Sequence, residues 1–105
     1  MNIRFLNMLG LARRANRLSL GHDAAVKSIR GGQAKACFLT MDSSERLKKE
    51  FKRTTAQYGE VPFKVLDCTM LEIKEATGLR SAVITVNDQG FASKLLEFLL
   101  EEEVH

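Results

Sequence analysis

Two short runs set the limits on what this chain can fold into. Residues 36–41 (ACFLTM) and 82–86 (AVITV) are almost wholly apolar, and polar residues bound both. Apolar runs of this length predict strands buried on both faces. Such a strand needs a packed layer above and below it. The intervening segments read as those layers. Residues 2–16 carry Phe5, Met8, Leu9 and Ala12 at the three-and-four spacing of one helix face. Residues 17–20 form a short strand. A helix of residues 22–30 places Ala24, Ala25, Val26 and Ile29 on its apolar side, and Gly31 and Gly32 stop it.

The second half continues the alternation. Asp42 and Glu45 match a capping signature ahead of a helix running to about Tyr58, with Leu47, Phe51 and Tyr58 as its buried stripe. Gly59 ends it. Pro62 puts the next strand, residues 63–66, near the sheet edge. Thr69 and Glu72 form a second capping signature over Leu71, Ile73 and Ala76, and Gly78 ends that helix. Asn87 and Asp88 cap the last helix, whose core face is Phe91, Ala92, Leu95, Leu96 and Leu99. Helices and strands alternate from end to end. The expectation is one α/β domain spanning residues 1–105, with helices on both faces of a largely parallel or mixed sheet.

Charge narrows the partner. Residues 1–53 hold 12 of the 16 Lys and Arg but only 4 of the 13 Asp and Glu, a balance of +8, against −5 for residues 54–105. A basic half suits a polyanion. No apolar run is long enough to cross a membrane. The N-terminus shows no basic, apolar and cleavage segments in sequence, so a cytoplasmic protein without a signal peptide is expected. Cys37 and Cys68 both lie among apolar residues and read as reduced, buried thiols. With His22 and His105 as the remaining candidates, no zinc-ligand spacing exists, so neither a metal nor a cofactor is expected.

Enzymatic patterns are thin. Gly21 to Ser28 copies a phosphate-binding loop except that Val26 stands where the second glycine belongs. A β-branched residue cannot supply that curvature, and Val26 suits a buried helix face better. No set of histidine, carboxylate and nucleophile is recognisable. His22 and Asp23 read as an exposed ring and a helix cap, and no catalytic residue is expected.

The stretch that points to a ligand is residues 18–35, LSLGHDAAVKSIRGGQAK. Gly21 admits the tight turn into a helix whose first N–H groups point outward and favour anions. Asp23 and Lys27 are four apart and share one face. This end offers donors and acceptors on a rigid support, which suits RNA. Arg13, Arg14 and Arg17 crowd the end of the first helix, where the helix dipole and an RNA phosphate explain them equally well. Lys48, Lys49, Lys52 and Arg53 read as a solvated helix face.

In this order and spacing the motifs form a resemblance. The run GHDAAVKSIRGGQAK, the strand ACFLTM with its aspartate, and the later ATGLRSAVITV together resemble the ribosomal L-seven-Ae/L-thirty-e family. The ending NDQGFASKL is similar to a small bacterial branch of it. The resemblance spans nearly the whole chain. It implies a three-layer α/β/α sandwich with a mixed four-stranded sheet and about five helices. It also implies a non-catalytic, cytoplasmic protein that binds kink-turn-like structured RNA, in ribosomal RNA or an mRNA leader. Ribosomal or translation-factor partners are implied as well, and neither DNA nor a membrane.

Gly21 matches the family glycine and Lys27 its lysine. Asp23 stands where most members have Asn, Ala24 where they have Glu, and Lys74 where the second signature usually has Gly. These departures bear on base-specific affinity and not on the fold. The candidate RNA-binding residues are Gly21, His22, Asp23, Lys27, Arg30 and Lys35, with Leu79, Arg80 and Ser81 placed to pack on an extruded nucleotide. Two alternatives stand beside this reading: a protein-interaction module of the same fold with weak RNA binding, and an accessory factor in RNA modification.

Overall fold

The computed structural model describes residues 2–104, so His105 lies outside the described residues. Five helices alternate with four strands: α1 (Ile3–Arg14), β1 (Leu18–Leu20), α2 (His22–Arg30), β2 (Ala36–Leu39), α3 (Glu45–Gln57), β3 (Phe63–Val65), α4 (Met70–Thr77), β4 (Val83–Val86) and α5 (Gln89–Val104). The sheet order is β1-β4-β2-β3. β4 runs antiparallel to both β1 and β2, and β3 runs parallel to β2. The sheet is therefore mixed, and the two apolar runs are its two central strands, buried at every position. The strand after Pro62 lies at the edge.

Side chains alternate across the central strands and build two cores. Cys37, Leu39 and Val83 face Ala25, Ile29 and Phe51, beneath α2 and α3. Ala36, Phe38, Ile84 and Val86 face Phe5, Leu9, Ile73, Leu95 and Phe98, beneath α1, α4 and α5. Phe5 meets Phe38 edge to face, with ring centroids 5.3 Å apart. The result is the expected three-layer α/β/α sandwich. Both thiols are free and buried, and burial pushes each up to about 12.

The capping box of Thr69 and Glu72 is formed, and Gly78 ends α4 in the left-handed region at φ 87°. Three local expectations change. Asp42 does not cap α3: Ser44 does, accepting from Leu47 N at 3.1 Å. Asp42 instead accepts from Met70 N at 3.1 Å and holds the start of α4. Ala24 is exposed, and Ser28 takes the buried place on α2. Asp88 alone caps α5, accepting from Phe91 N at 2.9 Å. Asn87 turns inward: its side-chain oxygen accepts from Ser28 Oγ at 2.5 Å and from Thr85 Oγ1 at 3.2 Å, and its amide donates to Ser19 Oγ at 2.8 Å. One side chain thus ties β1, α2 and β4 together.

Candidate nucleic-acid interface

β1, β2 and β3 share one direction and deliver their C-terminal ends to the same edge of the sheet. β4 is antiparallel to them, so the loop preceding it arrives at that edge as well. Backbone bonds join the segments there. Gly21 N donates to Val83 O at 3.1 Å, Thr40 N to Ala82 O at 3.0 Å, and Met41 N to Cys68 O at 2.8 Å. The start of α2, the β2–α3 loop and the α4–β4 loop form one contiguous end.

Gly21 makes the turn into α2 with φ 101° and ψ 163°, a conformation that glycine alone adopts readily. It has no side chain to cap the helix, and no side-chain hydrogen bond caps α2. The first-turn N–H groups therefore keep their capacity to meet an acceptor. Asp23 does not act as a cap. Its side chain is fully exposed, and its Oδ1 lies 3.3 Å from His22 Nδ1. His22 is more than an exposed ring. Nε2 lies 2.7 Å from Glu50 Oε2 on α3, and the ring packs edge-on to Phe51 with centroids 5.4 Å apart. The hydrogen bonds to Glu50 and then Asp23 raise His22 above its ordinary 6.5, against the smaller effect of burial. Lys27 follows Asp23 by one turn and is exposed.

Across the edge, Leu79 and Arg80 are exposed. The Thr77 hydroxyl accepts from Leu79 N at 3.3 Å, and Gly78 turns the chain toward β4. Ser81 is buried; its hydroxyl donates to Val83 O at 2.6 Å, so it shapes the loop from within. Burial pushes the Asp42 carboxyl up, but the Met70 N–H and the charge of Arg80 help hold it below its ordinary value. Met41 adds an exposed apolar surface beside it.

The structure thus gathers Gly21, His22, Asp23, Leu79, Arg80 and Ser81 at one end, with Lys27 one turn along. Arg30 and Lys35 lie elsewhere. Arg30 closes α2, about 12 Å from its start at 1.5 Å per residue, and its Nη2 donates to Tyr58 Oη at 3.0 Å. Lys35 N donates to Val86 O at 2.7 Å, at the opposite edge of the sheet. Arg13 and Arg14 fill the last turn of α1 at that opposite edge, where the helix dipole favours cations. No local sequence signal places Glu50 and Asp42 at this end, and Asn87 sits at the opposite edge, where its N–H donates to Arg17 O at 2.8 Å. Only Ser28, a polar residue on an otherwise apolar helix side, hinted that a polar partner waited beneath α2.

Residues 22–30 are helical, which leaves no phosphate-binding loop at Gly21. Among the described residues, no group of three or more His, Cys, Asp or Glu could hold a metal ion. No helix is long and apolar enough to cross a membrane among them.

Comparison with known proteins agrees with the resemblance read from the sequence. A model of the "Ribosomal protein L7Ae/L30e/S12e/Gadd45 family" matches residues 4–95. The "RNA-binding protein YlxQ" of Bacillus subtilis (strain 168) is 35% identical over 88% of this chain and 91% of its own. Its namesake from Enterococcus faecium is 36% identical over 90% of this chain and 89% of its own. A solved structure of a protein of unknown function from Bacillus halodurans C superposes with a TM-score of 0.84 at 32% identity, covering 91% of this chain and 96% of that one. The Giardia lamblia 15.5kD RNA binding protein superposes with a TM-score of 0.72 over 94% of this chain and 84% of its own, at 14% identity, and shares the fold.

Proposed function

This chain belongs to the ribosomal protein L7Ae/L30e/S12e/Gadd45 family, and on that premise we propose that it is a non-catalytic RNA-binding protein that recognises kink-turn-like structured RNA in the cytoplasm. One observation carries the reading. An uncapped helix N-terminus and the exposed pair Leu79 and Arg80 meet at one edge of the sheet, and Lys27 is exposed farther along the same helix, in its last turn.

Regular A-form RNA hides its major-groove base edges from side chains. A kinked internal loop opens that groove to a helix end. The N–H groups at the start of α2 then donate to phosphate or base acceptors. Lys27 donates to guanine O6 and N7 or to phosphate. Asp23 only accepts, so its partner is a base N–H. Leu79 and Arg80 offer the apolar and guanidinium surfaces on which an unstacked base rests. Ribosomal or other ribonucleoprotein assemblies are the setting that the family suggests for such an RNA.

A gel shift tests this with a kink-turn RNA and a control RNA lacking its tandem G·A pairs. The expected result is preference for the kinked RNA. Lys27→Ala is expected to lose about 1–3 kcal/mol of binding if the lysine reads a base. Equal affinity for both RNAs, or a Lys27→Ala variant that binds unchanged at low and moderate salt, overturns the reading. Equal affinity also favours the protein-interaction alternative.

A further inference from the structure

We propose that the outer face of α3, carrying Arg46, Lys49 and Arg53, is a second RNA-binding surface that holds the phosphates of a duplex stem. It rests on the RNA-binding reading above and extends that site away from the α2 end.

The first argument is continuity. α2 and α3 lie side by side and parallel, clasped near each end. His22 meets Glu50 at 2.7 Å, and Arg30 meets Tyr58 at 3.0 Å, each pair 28 residues apart in sequence. A shallow concavity of about 280 Å³ runs from His22 past Ser44, Arg46 and Leu47 to Glu50. A second one, of about 520 Å³, is lined by Arg46, Lys49, Glu50 and Arg53. The two share Arg46 and Glu50, so a strand leaving the α2 end passes directly onto this face.

The second argument is charge. Residues 46, 49 and 53 are spaced three and four apart and share one helix face. Among the described residues, no carboxylate forms an ion pair with Arg46, Lys49, Lys52 or Arg53. Lys48 is different: it pairs with Glu45 at 3.3 Å and reaches Met41 O at 3.4 Å. The one acid in the larger concavity, Glu50, is held by His22. Neighbouring cations repel one another, and a polyanion relieves that repulsion. Helix electrostatics do not account for Arg46, because it sits in the first turn of α3, where the dipole disfavours a cation.

The third argument is chemistry. Arg46 to Arg53 spans about 10 Å along the helix, enough for contacts with two or three phosphates of one strand. Among the described residues no hydrogen bond or ion pair locks these three heads in place, so they suit the backbone and not base edges. Such contacts position an RNA without reading its sequence.

The test measures affinity against salt by fluorescence anisotropy. It compares the intact protein with the triple variant Arg46→Gln/Lys49→Gln/Arg53→Gln. The probes are a kink-turn RNA, the same RNA with each stem shortened in turn, and a plain duplex without an internal loop. Each lost phosphate contact takes about 0.9 off the slope of log K against log salt. The triple variant is therefore expected to lose about 2–3 units of slope. Shortening one particular stem is expected to cost the intact protein the same amount and the variant nothing more. An unchanged slope overturns the proposal, as does a slope loss that no stem shortening reproduces. If the triple variant fails to fold, the three single variants decide, each expected to lose about one unit. The two readings fail separately. Equal binding of kinked RNA and plain duplex sinks the kink-turn reading, while the variant's slope on the plain duplex still decides the role of α3.

Discussion

Asn87→Ala tests the polar junction that ties β1, α2 and β4 together at the edge opposite the candidate RNA face. Three bonds disappear with the side chain: from Ser28 Oγ at 2.5 Å, from Thr85 Oγ1 at 3.2 Å, and to Ser19 Oγ at 2.8 Å. Ser19 is half-buried and can turn to water. Ser28 is 3% exposed and Thr85 0%, so their hydroxyls are left inside without this acceptor. An unsatisfied buried group costs about 1–3 kcal/mol. Two such groups give an expected loss of about 2–6 kcal/mol, a large part of the ~5–15 kcal/mol that holds a domain of this size. The melting midpoint is then expected to fall by about 8 °C or more.

Urea denaturation with Ser28→Ala and the double variant completes a cycle. Because Asn87→Ala leaves the buried Ser28 hydroxyl unsatisfied, the double variant is expected to be no less stable than Asn87→Ala alone and to recover part of its loss. A loss below about 1 kcal/mol, or single effects that simply add, would refute the role given to this junction.

Three further outcomes follow from particular contacts. Gly10→Ala places a Cβ 2.8 Å from the backbone oxygen of Ala76, where α1 and α4 touch; overpacking of about 1–3 kcal/mol outweighs a helix-propensity gain of about 0.5–1 kcal/mol, so urea denaturation is expected to show a net loss, and a more stable variant would refute the close approach. His22 has a raised folded value, so its pairing with Glu50 stabilises fully below 6.5 and is lost as pH rises through that raised value; the stability gap between the wild type and His22→Gln is expected at pH 6 and to shrink by pH 8.5, and a gap that grows with pH would refute the pairing. Asp23→Asn is expected to leave the melting midpoint unchanged, since the carboxylate caps nothing; RNA binding no tighter than wild type supports its role as a base acceptor, and tighter binding overturns it.

What the chain disclosed about itself divides by the range of the interaction. The two central strands were legible because burial on both faces leaves an apolar run with no polar residue to place. The box of Thr69 and Glu72 was legible because both partners lie within one turn. Asp42 misled for the same reason: it stands three residues before Glu45, yet its carboxylate reaches Met70, 28 residues away. Ser28 and Asn87 are 59 residues apart, and no periodicity connects them. Ala24 is apolar by type yet exposed, because a methyl group costs little on either face.

The candidate interface followed the same division. The glycine, the exposed helix start and Lys27 could be read locally. That residues 79–81 stand beside them depends on strand direction. β4 alone opposes the other three strands, so the segment before it reaches the edge that the others reach with the segments after them. Were β4 parallel, Leu79 and Arg80 would lie with Lys35 at the far edge, and the start of α2 would face its ligand without them. The antiparallel insertion of β4 between β1 and β2 is therefore the step by which this fold turns separate loops into one surface.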